Sequence, residues 1–187
     1  MSQPLPSGCG AAYVWGMKTT DYDIVISGGG VAGLTAAAAF GTAGFDVLIV
    51  DPAAPVTTQD GDGADLRTTA FLQPAQAFLD RAGIWDKLAP FAAPLQVMQI
   101  ADASGDEGAI RTTAAFDAAD ISDAPFGWNL PNWLLRREMV ARLDALPNVT
   151  LKTGVGFADM VARSAHAMVS LTDGTRLRCK LVIGADG

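Results

Sequence analysis

Basic clusters are missing from this sequence. Its 187 residues carry 13 Lys and Arg against 20 Asp and Glu, a formal charge of -7. Neutralising a phosphate backbone takes grouped cations, which no stretch provides, so a nucleic-acid surface is excluded. Cysteine is scarce: Cys9 and Cys179 stand far apart without CxxC or Cys/His spacing, which excludes a disulfide framework and a metal site and suits a reducing cytoplasm. No Lys or Arg precedes Lys18 and no apolar core precedes Cys9, so neither a secretory signal nor a lipidated cysteine is expected. The one histidine, His166, falls in a predicted meander, where a surface or turn role outweighs catalysis.

Charge is also missing between Asp23 and Asp46. A run of that length could cross a bilayer, but its pattern changes midway. "YDIVIS" is β-branched, "GGG" interrupts, and "VAGLTAAAAF" is helix-forming, so the segment reads as strand, turn and helix rather than a span. Half the residues are hydrophobic, which excludes disorder throughout and leaves a core-forming chain suited to small-molecule chemistry.

Residues 1–16, "MSQPLPSGCGAAYVWG", read as a disordered extension ahead of Met17, the expected start of translation. The pattern then predicts a strand over 22–27, a helix over 31–43 and a strand over 46–50. A polar loop and a helix over 68–82 follow. "LQVMQIADASG" and "GAIRTTAAF" look like strands of a separate sheet. A helix over 132–145 places Leu134, Leu135, Met139, Val140 and Leu143 at helical spacing. "VTLKTG" is a short strand; "VGFADMVA", "HAMVSLT" and "DGTRLRC" form a three-stranded meander with a turn at Asp173-Gly174. The closing "LVIGADG" is apolar enough for a parallel strand covered on both faces. Met98, Trp128 and Trp133 read as packing residues rather than a substrate pocket.

The chemistry sits in "SGGGVAG", where Gly28, Gly30 and Gly33 form G-x-G-x-x-G between a strand and a helix. Gly28 permits the tight turn, Gly30 lets the backbone approach a pyrophosphate, and Gly33 lets helix and strand pack closely. The helix N-terminus adds unpaired N–H groups and a positive dipole end. Asp51 ends the next strand, where a carboxylate can accept from a ribose diol. An acid there favours FAD or NAD over NADP.

Four segments together resemble the FAD-dependent aromatic-ring monooxygenases, most closely the ubiquinone-biosynthesis hydroxylases: "DIVISGGGVAGLTAAAAFGTAGFDVLIVD", "DLRTTAFLQPAQAFLDRAGIWDKL", "GWNLPNWLLRREMVARL" and "LVIGADG". Asp51 stands where that family often has Glu. The resemblance implies Arg67 against the FAD diphosphate, Asn132 at the start of a flavin-contacting helix, and Asp186 approaching FAD after a parallel strand. A guanidinium suits a phosphate through bidentate pairing, but Arg67 also reads as a surface residue paired with Asp65, and Asn132 as a helix N-cap.

The fold implied is α/β: a Rossmann-like FAD-binding domain with a parallel sheet, helices and a three-stranded meander, plus the start of a β-rich substrate domain, incomplete at the C-terminus. Residues 17–90 and 127–187 would form the FAD-binding domain and 91–126 the start of the substrate domain. The chain looks like the N-terminal portion of a longer hydroxylase. The resemblance further implies NAD(P)H as reductant, O2 as cosubstrate, and a small aromatic or prenylated phenol as substrate. No catalytic side chain and no metal ligand is expected, because the cofactor carries the chemistry. The expected location is the cytoplasm or the periphery of the inner membrane, with peripheral membrane or biosynthetic-complex association as the expected partnership. The 187-residue chain alone is expected to be inactive or uncoupled. Another FAD enzyme with the same opening motifs, of prenyl reductase or halogenase type, and an inactive fragment are the alternatives.

Overall fold

The computed structural model describes residues 20–103 and 108–187; the extension over 1–16, Cys9 and the start at Met17 lie outside the described residues. In chain order the elements begin with β1 (Thr20–Ser27), α1 (Val31–Thr42), β2 (Val47–Asp51), β3 (Thr68–Leu72), α2 (Gln73–Arg81), α3 (Trp85–Leu88), β4 (Ala93–Leu95), β5 (Val97–Asp102) and β6 (Thr112–Asp117). They continue with β7 (Gly127–Pro131), α4 (Asn132–Asp144), β8 (Val149–Thr153), β9 (Phe157–Ala162), β10 (Ala167–Leu171) and β11 (Arg176–Gly184).

A six-stranded sheet of order β8-β2-β1-β11-β10-β9 organises the molecule. The pairs β8·β2, β2·β1 and β1·β11 are parallel, whereas β11·β10 and β10·β9 are antiparallel. Side chains alternate between two cores. Ile24, Ile26, Val47 and Ile49 pack under α1 and α4 with Leu34, Leu135 and Met139. Val25, Leu48 and Val50 meet Val169, Leu171, Leu177 and Cys179 on the opposite face. Because both faces of β1 and β2 are covered, their apolar residues run without polar interruption. Burial pushes the Cys179 thiol above its ordinary pKa.

The first unit forms as its sequence predicts, with boundaries shifted by a residue or two. Elsewhere some elements differ, beyond the unexpected strands β4 and β7. The expected helix over 68–82 begins only at Gln73, because Thr68–Leu72 pairs antiparallel with β7 as β3. Pro74 lies in the first turn of α2, where its missing N–H has no intrahelical partner to lose. The meander and the closing parallel strand are also one element: β11 pairs with β10 through Arg176–Cys179 and runs on beside β1 to Gly184. Met98 is exposed on β5 rather than packed, Trp128 meets Trp85 edge-on at 5.3 Å, and Trp133 lies under the Arg137 guanidinium at 5.4 Å.

Helix α1 carries no charged residue. Its inner face is buried on the sheet, and its outer face lines an apolar groove of about 680 Å3 with Phe40, Phe45, Phe71 and Phe78. Among the described residues no helix is long and apolar enough to cross a membrane.

Candidate functional site

The carboxyl ends of β1, β2 and β11 meet at one edge of the sheet, which is where open α/β sheets hold ligands. The turn after β1 is built by backbone needs. Gly28 has φ 113°, in the left-handed region, and a Cβ there would lie 2.4 Å from the Ala185 carbonyl oxygen. A Cβ on Gly33 would lie 1.9 Å from the Gly28 carbonyl oxygen, so α1 rests directly on the turn. Gly30 is different: a Cβ there meets nothing within 4 Å. It faces a cleft of about 240 Å3 lined by Gly29, Asp51, Arg136, Asp186 and small residues of the loop after β2.

Gly30 is also the N-cap of α1, and no side chain caps that end. The first N–H groups of the helix therefore lack intrahelical acceptors and present the positive end of the dipole. Asp51 braces the loop: its Oδ2 accepts from the Gly29 N–H at 2.6 Å and its Oδ1 from the Ala53 N–H at 2.8 Å. A carboxylate retains further acceptor positions beyond those two, enough for ribose hydroxyls. Asp186 is fixed by the Ser27 hydroxyl, which donates to its Oδ2 at 2.9 Å, while the Ala185 N–H donates to the Ser27 carbonyl at 2.7 Å.

A second cluster lies beside the cleft, centred on Asp65. Its carboxylate accepts from Arg67 Nε and Nη2, each at 2.9 Å, and from Asn132 Nδ2 at 2.9 Å. Thr69 donates to the Asn132 Oδ1 at 2.6 Å, so both ends of that buried amide have protein partners. Asn132 is not an N-cap: Pro131 ends β7 in an extended conformation and occupies the cap position, leaving Asn132 as the first helical residue with its amide drawn to Asp65 and Thr69. The Arg67 side chain is 83% exposed.

The structure thus gathers Gly28, Gly30, Gly33, Asp51 and Asp186 at one turn and cleft. Arg67 and Asn132 belong to the neighbouring cluster and do not line the cleft. Sequence reading missed Ser27 and Arg136, and gave Asp65 only as the partner of Arg67, the pair that the structure has. Arg136 follows Asn132 by four residues, hence on the same helix face, and that spacing was the available signal. Residues that hold a turn, open a diphosphate-sized gap at a bare helix end and set carboxylates at the strand ends fit a dinucleotide such as FAD.

Hydrogen bonds from Arg67, then from Asn132, hold the Asp65 carboxyl well below the usual carboxylate range. Such a group contributes its stability fully above the unfolded value of about 3.9, and loses it as pH falls from there through the folded value. Thermal melts from neutral pH down to about pH 2 are expected to show a smaller acid-induced drop for Asp65→Asn than for the parent, beginning below about pH 4. Equal acid slopes would refute the assignment.

Residues 21–187 match the FAD binding domain family. Ubiquinone hydroxylase UbiL of Rhodospirillum rubrum is 30% identical over 194 residues, covering 100% of this chain and 44% of its own length. The 3-demethoxyubiquinol 3-hydroxylase of Escherichia coli is 29% identical over 173 residues, covering 91% of this chain and 42% of its own. Among solved structures, the p-nitrophenol 4-monooxygenase PnpA of Pseudomonas putida superposes with a TM-score of 0.72 at 25% identity, over 91% of this chain and 42% of PnpA. The chain spans less than half the length of these relatives.

Proposed function

Since this chain belongs to the FAD binding domain family, we propose that it is the FAD-binding portion of a flavin-dependent monooxygenase that hydroxylates an aromatic ring, of the ubiquinone-hydroxylase type. The observation that carries the reading is the cleft at Gly30, open at an uncapped helix end and flanked by Asp51 and Asp186. The names of the relatives support a ring hydroxylation; a prenylated phenol as substrate, NAD(P)H as reductant and O2 as cosubstrate are part of the proposal.

Each residue has a part in holding the cofactor. The α1 N-terminus and the Gly28–Gly30 backbone would receive the diphosphate, Asp51, held at the loop by the Gly29 N–H, would accept from the adenosine ribose, and Asp186, oriented by Ser27, would stand on the side of the flavin half. Bound FAD would supply the redox chemistry. The contribution of these residues is orientation.

Titration of the chain with FAD and with NAD, followed by flavin fluorescence and calorimetry, is expected to show tighter FAD binding; tighter NAD binding would sink the reading. With FAD bound, any NAD(P)H oxidation by the 187-residue chain is expected to yield hydrogen peroxide rather than hydroxylated phenol, because Asp186, on the side of the flavin half, is exposed and water has access there. Stoichiometric ring hydroxylation in a product assay would contradict that.

A further inference from the structure

The cleft carries an electrostatic problem. A diphosphate is anionic, and Asp51 and Asp186 both border the space it would enter. Like charges at short range in a partly desolvated site oppose binding, and a cation among them adds to the offset that the α1 N-terminus provides. Of the described residues lining the cleft, Arg136 is the one cation.

Its bonding leaves it free for that role. The Arg136 Nε is buried and has no hydrogen-bond partner, a costly condition for a donor of this kind. Its Nη2 is 3.7 Å from Asp65 Oδ2, near enough for attraction and too far for a hydrogen bond. Asp65 is already engaged: Oδ1 accepts from the Arg67 N–H and Nε, and Oδ2 from Arg67 Nη2 and Asn132 Nδ2. Asp65 therefore steers the Arg136 guanidinium without satisfying it. The Arg136 side chain is only 23% exposed, against 83% for Arg67. A rigid fork of N–H donors suits bidentate contact with a phosphate.

We infer that Arg136 is the residue that clamps the FAD diphosphate, and that Arg67 is a positioning residue acting only through Asp65. The inference rests on the reading of the Gly30 cleft as the FAD site. Arg136 also offsets the two carboxylates, so its removal weakens FAD binding twice over: one charge-assisted contact is lost and the repulsion from Asp51 and Asp186 is left unopposed.

The test is FAD titration of the parent chain, Arg136→Gln, Arg67→Gln and Gly30→Val by flavin fluorescence at several salt concentrations, with far-UV circular dichroism as the folding control. Arg136→Gln is expected to weaken FAD on the order of 30-fold and to flatten the salt dependence of Kd, since a screened charge pair has gone. Arg67→Gln is expected to weaken it less than about threefold with the salt dependence kept, as for an exposed pair. Wild-type affinity and salt dependence in Arg136→Gln overturn the inference, as does a larger loss in Arg67→Gln. If Arg136→Gln does not fold, Arg136→Lys decides: the geometry predicts several-fold weaker binding with the salt dependence retained, and unchanged affinity overturns the bidentate clamp. Loss of FAD in Gly30→Val alongside retention in Arg136→Gln refutes only the inference; retention in Gly30→Val refutes the cleft as well.

Discussion

Gly30→Val is expected to fold and to lose FAD by at least about 100-fold, or roughly 2.8 kcal/mol. Its backbone, at φ -73° and ψ 179°, is open to any residue. A Cβ meets no atom within 4 Å, so the side chain enters the cleft and not the protein. The fold loses only the difference between a tolerable and a poor N-cap, about 1 kcal/mol. The ligand loses more, because a branched side chain occupies the volume through which the diphosphate would reach the first N–H groups of α1. Circular dichroism like the parent's with no flavin retained is the expected pair of results. Unchanged FAD affinity would remove the cleft from consideration.

Three residues on, the same kind of substitution is expected to act on folding instead. Gly33→Ala puts a Cβ 1.9 Å from the Gly28 carbonyl oxygen, a backbone atom held by the turn. Two effects oppose each other. Alanine in a helix interior is favoured over glycine by about 1 kcal/mol, whereas a clash of this depth forces α1 away from the sheet and loosens the core at Leu34, Ala37 and Ala38. Overpacking of that kind costs about 3 kcal/mol or more, so the clash wins. A melting temperature lowered by roughly 5–10 °C, or outright insolubility, is expected for a chain of this size. Denaturant unfolding alongside Gly30→Val checks it, and stability equal to the parent's would show that the α1–turn contact is looser than described.

The contrast between these glycines shows what the sequence carried and what it did not. The spacing of Gly28, Gly30 and Gly33 with Asp51 is a local pattern of residues whose neighbours are close in the chain, so turn, helix and acid were legible together. Asp186 was legible for the same reason, as the residue following an apolar strand. Thr68–Leu72 was not, since its strand character comes from pairing with Gly127–Pro131 across a long separation, and it runs without a break into the helix-forming residues from Gln73. Residues Gly127–Pro131 were missed as a strand because their glycine and proline argue against one. The double duty of β11 was hidden at Lys180, which looks like a boundary but pairs with Asp23 on the neighbouring strand at 2.7 Å. Arg136 sits in α4 directly before the charged residues Arg137 and Glu138. Its buried Nε, its place in the cleft and the commitment of Asp65 to other donors distinguish it from a solvated surface arginine, and all three come from tertiary placement.

The parallel pairing of β1 with β11 also sets the order in which the protein can assemble. The hydrogen bond from Ser27 to Asp186 joins residues 159 apart, and β1 receives its second neighbour only when residues 177–184 have been made. At about 5–20 residues per second, a ribosome takes on the order of ten seconds to travel from the end of β2 to the end of β11. Through that interval Ile24, Val25 and Ile26 hold one strand edge unpaired, the kind of edge that recruits other chains. Loop closure over such a distance must precede any gain from the contacts it allows, which slows the final docking step. The glycine turn, made well before β11, therefore gains its second neighbouring strand late, and the β1 edge stays open to other chains until β11 arrives.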